Sequence, residues 1–358
     1  MKRILFVSDA ASVHTRRWAE YFRDQGAEVH VASFRPATID GVTVHRLAAG
    51  RFGKLGYLLA VPALRALARR LEPQMVHAQY VTSYGVLAAL AGLRPLVVTA
   101  WGTDVLISPR ESALLRRLAG YAVRHADAVT TVAEHMNPAV AALGVELDAI
   151  VATPFGVDTQ IFVPPAARAE GGPLRLICTR NFAPVYSVQT LVEALGIVSR
   201  EGMALQVDLV GAGPLEGELR SGIEREGIAT QVRFRGHVDH PMLARLLAES
   251  HLFVSPAISD GNNVSLNEAM ACASFPIATA IPANAQWIDD GVNGLLFPPG
   301  DAVRLAQCIV RAASEPALRI RAGALNRAIV EQRADWRVCV QRMMQTYSRA
   351  AAHAGLPL

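Results

Sequence analysis

Two carboxylates that stand eight residues apart, Asp260 and Glu268, form the most informative pair in the chain. Asp260 follows an apolar strand candidate, Leu252–Ser255, and Glu268 lies about one turn into a helix expected to begin near Ser265. An acid after a strand and an acid on the next helix point into one crevice. Open parallel sheets bind their ligands in such a crevice, beyond the carboxyl ends of the strands.

The segment between the two acids supplies backbone N–H groups at the start of that helix. Glycine and asparagine favour tight turns, and a helix N-terminus attracts anions. The residues concerned are Gly261, Asn262, Asn263 and Val264. The pattern predicts polar and anionic groups of a ligand at this turn.

A glycine pair, Gly211 and Gly213, follows another strand candidate in the second half. Glycines let a backbone approach a phosphate closely, although a tight turn between strand and helix explains them equally well. Glu216 stands where a dinucleotide fingerprint has its third glycine, which argues against a simple dehydrogenase.

Arg180 follows the first strand of the second half. A guanidinium can clamp a diphosphate with its fork of donors, and a surface ion pair is the alternative. Together with Gly211, Gly213 and the two acids, Arg180 predicts a crevice with phosphate donors and with carboxylates for hydroxyl groups. This is the chemistry of a nucleotide-sugar site.

Two strand ends in the first half carry further polar residues. One is followed by Ser12, His14 and Arg17. Cations at the start of a helix are unfavourable, so either an anionic ligand lies nearby or these side chains are simply exposed to solvent. The other is followed by Trp101, Gly102, Thr103 and Asp104, where Asp104 is a site residue or a cap of the next segment.

Strand and helix patterns alternate along the whole chain, which predicts parallel, doubly wound sheets. With 358 residues, two domains are expected. Residues 163–173 are rich in Pro, Ala and Gly without periodicity and are interpreted as the linker. The predicted domains are residues 1–163 and 173–335.

Charge and composition limit the compartment and the partners. Residues 1–165 hold 17 Lys or Arg against 13 Asp or Glu, and residues 166–358 hold 18 of each. No apolar run reaches the about 20 residues of a membrane span, and the start of the chain reads as a strand, so we expect a cytoplasmic protein. Residues 51–71 mix basic and apolar residues at helical spacing, which fits either an anionic membrane surface or a helix packed on the sheet.

The ensemble of these motifs resembles the retaining glycosyltransferases of family 4, also called glycosyl transferases group 1. The resemblance is carried by Arg180, the Gly211 and Gly213 turn, the segment that ends in Gly236 and His237, the acid pair, and the stretches 154–162 and 293–298. It implies an α/β protein of the GT-B fold, with two doubly wound Rossmann-like domains facing a central cleft. It also implies that a last helix, at about 336–358, crosses back onto the first domain.

The resemblance assigns a role to each motif. The second domain binds a nucleotide-diphosphate sugar, with a uridine donor favoured over a guanosine donor. Glu268 binds the ribose, Asp260 faces the donor sugar, Arg180 neutralises the leaving diphosphate, and Asp104 is the catalytic residue of the first domain. The remaining donor-binding residues are Gly261, Asn262, Asn263, Val264, Gly211, Gly213, Tyr186 and His237, and the acceptor-binding residues are Ser12, His14, Arg17, Trp101, Gly102 and Thr103.

Three positions depart from the family pattern. The first acid is usually Glu and is Asp260 here. The family's diphosphate-binding Lys corresponds to Tyr186, and the second half contains no lysine, so another Arg or a helix dipole must replace that charge. Trp101 stands where the family often has His before Gly-x-Asp, and Trp stacks on sugars but cannot shuttle a proton. We interpret these changes as marks of a subfamily.

The expected reaction is transfer of a hexose or N-acetylhexosamine to an acceptor hydroxyl, with retention, in bacterial surface polysaccharide or glycolipid synthesis. No cofactor, metal or nucleic acid is expected. The acceptor is a saccharide or a lipid-linked saccharide, and peripheral contact with the cytoplasmic face of the inner membrane fits the basic first half. A nucleotide-sugar 2-epimerase of the same fold and an inactive sugar-nucleotide-binding protein are the alternatives.

Overall fold

A computed structural model describes residues 1–48, 53–166, 168 and 172–356 of the chain. It divides into two units. Unit 1 comprises Met1–Phe155 and the chain from Val340 onward, and unit 2 is Gly156–Cys339. Each unit is built on its own parallel sheet.

The sheet of unit 1 has seven strands in the order β3-β2-β1-β4-β5-β6-β7. The four central strands are almost fully buried, as expected for strands covered by helices on both faces. The strands are β1 (Arg3–Val7), β2 (Glu28–Ser33), β3 (Thr43–Arg46), β4 (Met75–Gln79), β5 (Leu96–Ala100), β6 (Ala128–Thr131) and β7 (Ile150–Ala152).

Helices connect the strands of unit 1. They are α1 (Val13–Asp24), α2 (Val61–Leu71), α3 (Val86–Leu90), α4 (Thr103–Leu106), α5 (Ser108–Glu111), α6 (Ala113–Arg124) and α7 (Asn137–Ala141). Short 3-10 turns cover Gly53–Ala60, Glu134–Met136 and Leu147–Ala149, and a π-helix covers Val81–Gly85.

The sheet of unit 2 has six strands in the order β10-β9-β8-β11-β12-β13. The chain therefore reverses direction across the sheet between β8 and β11, which are hydrogen-bonded neighbours. The strands are β8 (Leu174–Cys178), β9 (Leu205–Val210), β10 (Val232–Gly236), β11 (Leu252–Ser255), β12 (Phe275–Thr279) and β13 (Leu295–Phe297).

The helices of unit 2 are α8 (Val188–Arg200), α9 (Glu216–Arg225), α10 (His240–Glu249), α11 (Val264–Ala271), α12 (Pro282–Ala285), α13 (Ala302–Ser314) and α14 (Pro316–Arg333), with a 3-10 turn at Pro184–Tyr186. The last helix, α15 (Trp336–His353), begins in unit 2 and continues in unit 1. In unit 1 the buried Tyr347 hydroxyl lies 2.7 Å from His77 Nδ1.

The structure assigns residues 156–163 to unit 2, whereas the sequence placed them at the end of the first domain. Val157 N donates to Ala334 O at 2.8 Å, and Arg327 donates to the carbonyl of Phe162 at 2.6 Å. These bonds attach the segment to the end of unit 2. Of the predicted linker, residues 167 and 169–171 lie outside the described residues.

The basic segment predicted over residues 51–71 is not one continuous α-helix. Its first residues, Arg51 and Phe52, lie outside the described residues, and a 3-10 turn precedes α2. Leu64, Leu67 and Leu71 of α2 are buried in unit 1 while Arg69 and Arg70 are exposed, as for a helix packed on a sheet. Within the described residues, no helix is both long and apolar enough to cross a membrane.

Candidate functional site

The polar residues predicted in the second half collect where β8 and β11 end. Arg180 follows β8 by two residues, and Asp260 lies in the loop that leaves β11. β8 and β11 are parallel neighbours at the point where the strand order reverses. Sheets of this kind bind their ligands at that point, beyond the carboxyl ends of the strands.

Arg180 and Asp260 form an ion pair in which Arg180 Nη2 lies 3.0 Å from Asp260 Oδ2. The side chains are 8% and 15% exposed. Arg180 Nε donates to Ser255 Oγ at 3.1 Å, and the guanidinium carbon lies 5.3 Å from the centre of the Tyr186 ring. Tyr186 therefore contacts the cation of the site and adds no positive charge of its own.

Several buried polar atoms near this pair have no hydrogen-bond partner within the described residues. They are Thr179 Oγ1, both side-chain polar atoms of Asn262, and Asn267 Nδ2. Buried polar groups are nearly always hydrogen-bonded, so a group of unsatisfied ones needs an explanation. A polar ligand that brings its own donors and acceptors supplies one.

Helix α11 carries Glu268, which is 9% exposed, one turn beyond the helix start. The helix begins at Val264, one residue before the predicted Ser265, because Asn263 is the N-cap: its Oδ1 accepts from Leu266 N at 3.0 Å. Ser265 Oγ donates to the carbonyl of Thr179 at 3.2 Å, which ties the first turn of α11 to the loop after β8.

The two glycines after β9 are explained by contact with the loop that carries Arg180. A Cβ on Gly211, whose φ is +141°, would lie 2.4 Å from the carbonyl oxygen of Arg180. A Cβ on Gly213 would lie 2.5 Å from the carbonyl oxygen of Phe182. Close packing of two loops thus requires these glycines whether or not a phosphate lies near them. His237 is exposed after β10, two strands away from β8.

In unit 1 two of the predicted acceptor residues, His14 and Trp101, form an aromatic cluster with Phe155. The ring of His14 stacks on Phe155 at 3.6 Å between centroids, and Trp101 meets both rings edge to face, at 5.9 Å and 5.6 Å. Burial, with a smaller effect of Arg17, lowers the pKa of His14 to about 4, so the imidazole is neutral at pH 7. Ser12 caps α1 by accepting from His14 N. No pattern in the sequence predicted that Phe155 stacks on His14.

Asp104, the predicted catalytic residue of the first domain, is fully buried in this structure. Its carboxylate accepts from the backbone N–H groups of Val81 and Gly102 at 2.7 Å and of Trp101 at 3.1 Å. Burial raises the pKa of Asp104 to about 6 against the opposing effect of these bonds. Asp104 holds the loops together, and the neighbouring Thr103 hydroxyl bonds to Tyr80 at 2.9 Å.

Two doubly wound units, each on its own parallel sheet, have the architecture of the GT-B fold. The sequence matches the family description "Glycosyl transferase 4-like" over residues 3–133 and "Glycosyl transferases group 1" over residues 173–315. The chain belongs to this glycosyltransferase family, as the motifs indicated.

Three similar proteins illustrate the relationship. The amylovoran biosynthesis glycosyltransferase AmsK of Erwinia amylovora is 24% identical over 216 residues, 59% of this chain and 53% of its own. The putative colanic acid biosynthesis glycosyltransferase WcaL of Escherichia coli is 26% identical over 171 residues, 46% of this chain and 42% of its own. The matches thus span about half the length of these curated relatives. The structure of Anabaena Alr3699/HepE in complex with UDP and glucose has a TM-score of 0.80 and 21% identity, over 97% of this chain and 100% of its own.

Proposed function

We propose that this protein is a retaining glycosyltransferase that moves a hexose or N-acetylhexosamine from a nucleotide-diphosphate sugar to an acceptor hydroxyl. The observation that carries the proposal is the pairing of Arg180 with Asp260 beside buried polar atoms that have no hydrogen-bond partner among the described residues. A sugar diphosphate offers both the anionic oxygens for the cation and the hydroxyl groups for the other atoms.

Each residue that binds the nucleotide sugar in this proposal has a position suited to its task. Arg180 meets the diphosphate, the start of α11 adds backbone N–H groups and a favourable dipole, and Asp260 accepts from sugar hydroxyls. Glu268 accepts from the ribose. UDP is the favoured nucleotide, a preference supported by the UDP and glucose complex of the structurally similar HepE.

The chemistry rests on stabilising the charge that develops on the departing diphosphate. Arg180 is held in place before the donor arrives, by Ser255 and by Asp260, so little reorganisation is needed during bond cleavage. We propose that this reaction needs no metal ion and no cofactor.

The acceptor binds unit 1 at the cluster of His14, Trp101 and Phe155. Aromatic faces suit the apolar face of a sugar ring, and a neutral His14 can exchange hydrogen bonds with its hydroxyls. A saccharide or lipid-linked saccharide fits this surface. The names of AmsK and WcaL support a role in surface polysaccharide synthesis. We infer peripheral contact with the cytoplasmic face of the inner membrane, where such a lipid-linked acceptor would lie.

The test is to incubate the protein with UDP- and GDP-sugars, with and without simple glycosides and lipid-linked acceptors. Nucleotide release and the anomeric coupling constant of the product are followed by NMR. We expect acceptor-dependent release and a product with the donor's anomeric configuration. Conversion of the donor to an epimer without acceptor would identify a 2-epimerase, and tight nucleotide binding without turnover on any acceptor would identify an inactive binding protein.

A further inference from the structure

A chain of buried side-chain hydrogen bonds leads from the end of β12 to Arg180. Ser255, Asn263, Thr279 and Asn284 form it, and all four are fully buried. Thr279 and Asn284 belong to none of the motifs that the sequence predicted for the site. Asn284 is connected to Arg180 through Asn263 and Ser255, and Thr279 is connected through Asn284.

The direction of every bond in this chain is fixed. Thr279 Oγ1 donates to the carbonyl of Ala257 at 2.5 Å, so it can only accept from Asn284, whose Nδ2 lies 3.1 Å away. Asn284 Nδ2 also donates to the carbonyl of Thr279 at 2.9 Å. The amide of Asn284 therefore turns its oxygen toward Asn263, which donates to it at 2.8 Å.

Asn263 connects Asn284 to the residues of the site. Its Oδ1 is occupied by Leu266 N at the start of α11, and its Nδ2 donates to both Asn284 and Ser255, the latter at 3.0 Å. Ser255 Oγ thus accepts from Asn263 and from Arg180 Nε, which uses both of its lone pairs. The Nε–H of Arg180 has a single position, and the rest of the guanidinium is directed to Asp260.

We propose that Asn284 and Thr279 are positioning residues that set the orientation of Arg180 for the donor diphosphate. They act through Asn263 and Ser255 and do not touch the substrate. This inference rests on the proposed function, since it assigns the nucleotide diphosphate to Arg180. It also couples the guanidinium to the start of α11, because Asn263 serves both.

The experiment measures binding of UDP and of inorganic pyrophosphate by calorimetry in a double-mutant cycle of Asn284→Leu with Arg180→Ala. Leucine has nearly the size of asparagine and removes every bond of the amide. In the otherwise unchanged protein, Asn284→Leu should weaken UDP and pyrophosphate binding about tenfold, which corresponds to about 1.4 kcal/mol. In the Arg180→Ala protein the same substitution should weaken binding much less, because most of its effect passes through the guanidinium and only the remainder through the start of α11.

A milder pair of variants covers the outcome in which Asn284→Leu does not fold. Thr279→Ser keeps the hydroxyl and should bind UDP as the unchanged protein does. Thr279→Val has the size of threonine but no hydroxyl, and it should bind UDP and pyrophosphate more weakly. An equal loss in both Arg180 backgrounds, or equal binding by the Ser and Val variants, would overturn the inference. If the unchanged protein binds no nucleotide diphosphate, the proposed function itself fails, which is a separate result.

Discussion

The ion pair between Arg180 and Asp260 predicts that Asp260→Asn strengthens the binding of free diphosphate while it impairs sugar transfer. The two side chains lie 3.0 Å apart, so an anion that binds the same guanidinium must approach a carboxylate. Asparagine keeps the size and an oxygen acceptor for Arg180 but removes the negative charge.

The size of the effect follows from Coulomb's law. A phosphate on Arg180 would lie about 5 to 6 Å from the carboxylate, and two unit charges at that separation repel by about 3 kcal/mol at an effective dielectric constant of about 20. The partial exposure of Asp260 and screening by salt reduce this value to about half. We therefore expect pyrophosphate and UDP to bind about tenfold more tightly to the variant.

The sugar should show the opposite response. Asp260 is proposed to accept from the donor sugar, so the variant should lose the added affinity of UDP-glucose over UDP and most of its turnover. Calorimetry measures the affinities for pyrophosphate, UDP and UDP-glucose. Glu193→Gln, which removes one exposed charge from α8 of the same unit, is the matched control and should change none of these affinities. Equal or weaker pyrophosphate binding by Asp260→Asn would refute the competition between carboxylate and diphosphate.

Three further substitutions test the structural roles of Asp104, Gly213 and His77. Asp104→Ala leaves backbone N–H groups unpaired and should lower the free energy of unfolding by about 3 kcal/mol; unchanged stability with lost turnover would instead restore a catalytic role for Asp104. Gly213→Ala should destabilise the protein by about 1 to 3 kcal/mol because its Cβ meets the backbone of Phe182, whereas the helical control Gly217→Ala, with nothing within 4 Å, should be neutral or stabilising in the same denaturant titration. The pKa of His77 is lowered to about 3 by complete burial, so below pH 6.5 the unfolded chain takes up a proton that the folded chain does not. His77 alone should lower the free energy of unfolding by about 2 kcal/mol between pH 6.5 and pH 4.5, and His77→Gln should reduce the pH dependence by that amount; an unchanged slope would contradict the assignment.

The sequence predicted the strand ends that carry polar residues, because strand and helix periods are local signals. The two parallel sheets agree with that pattern. The segment before α2 has helical spacing in the sequence and is a 3-10 helix in the structure. Periodicity alone does not distinguish these two types of helix. The start of α11 differed by one residue because Asn263 caps the helix by accepting from Leu266 N.

Side-chain direction was beyond prediction from sequence. The position of Asp104 after a strand end suggested a site residue, but only tertiary packing turns its carboxylate inward to three backbone N–H groups. Asn263 and Asn284 are 21 residues apart and meet only when α11 and α12 fold beside each other. Likewise, the stacking of His14 on Phe155 joins residues far apart in the chain.

The central claim is that a nucleotide-diphosphate sugar binds unit 2 where β8 and β11 end. Hydrogen–deuterium exchange of the protein with and without saturating UDP locates the bound nucleotide directly, since amides that a ligand covers or stabilises exchange more slowly. We expect slower exchange in residues 179–182 and 260–268, and this protection should be lost in Arg180→Ala and kept in Glu193→Gln. Protection confined to unit 1, or protection that survives Arg180→Ala unchanged, would contradict the claim.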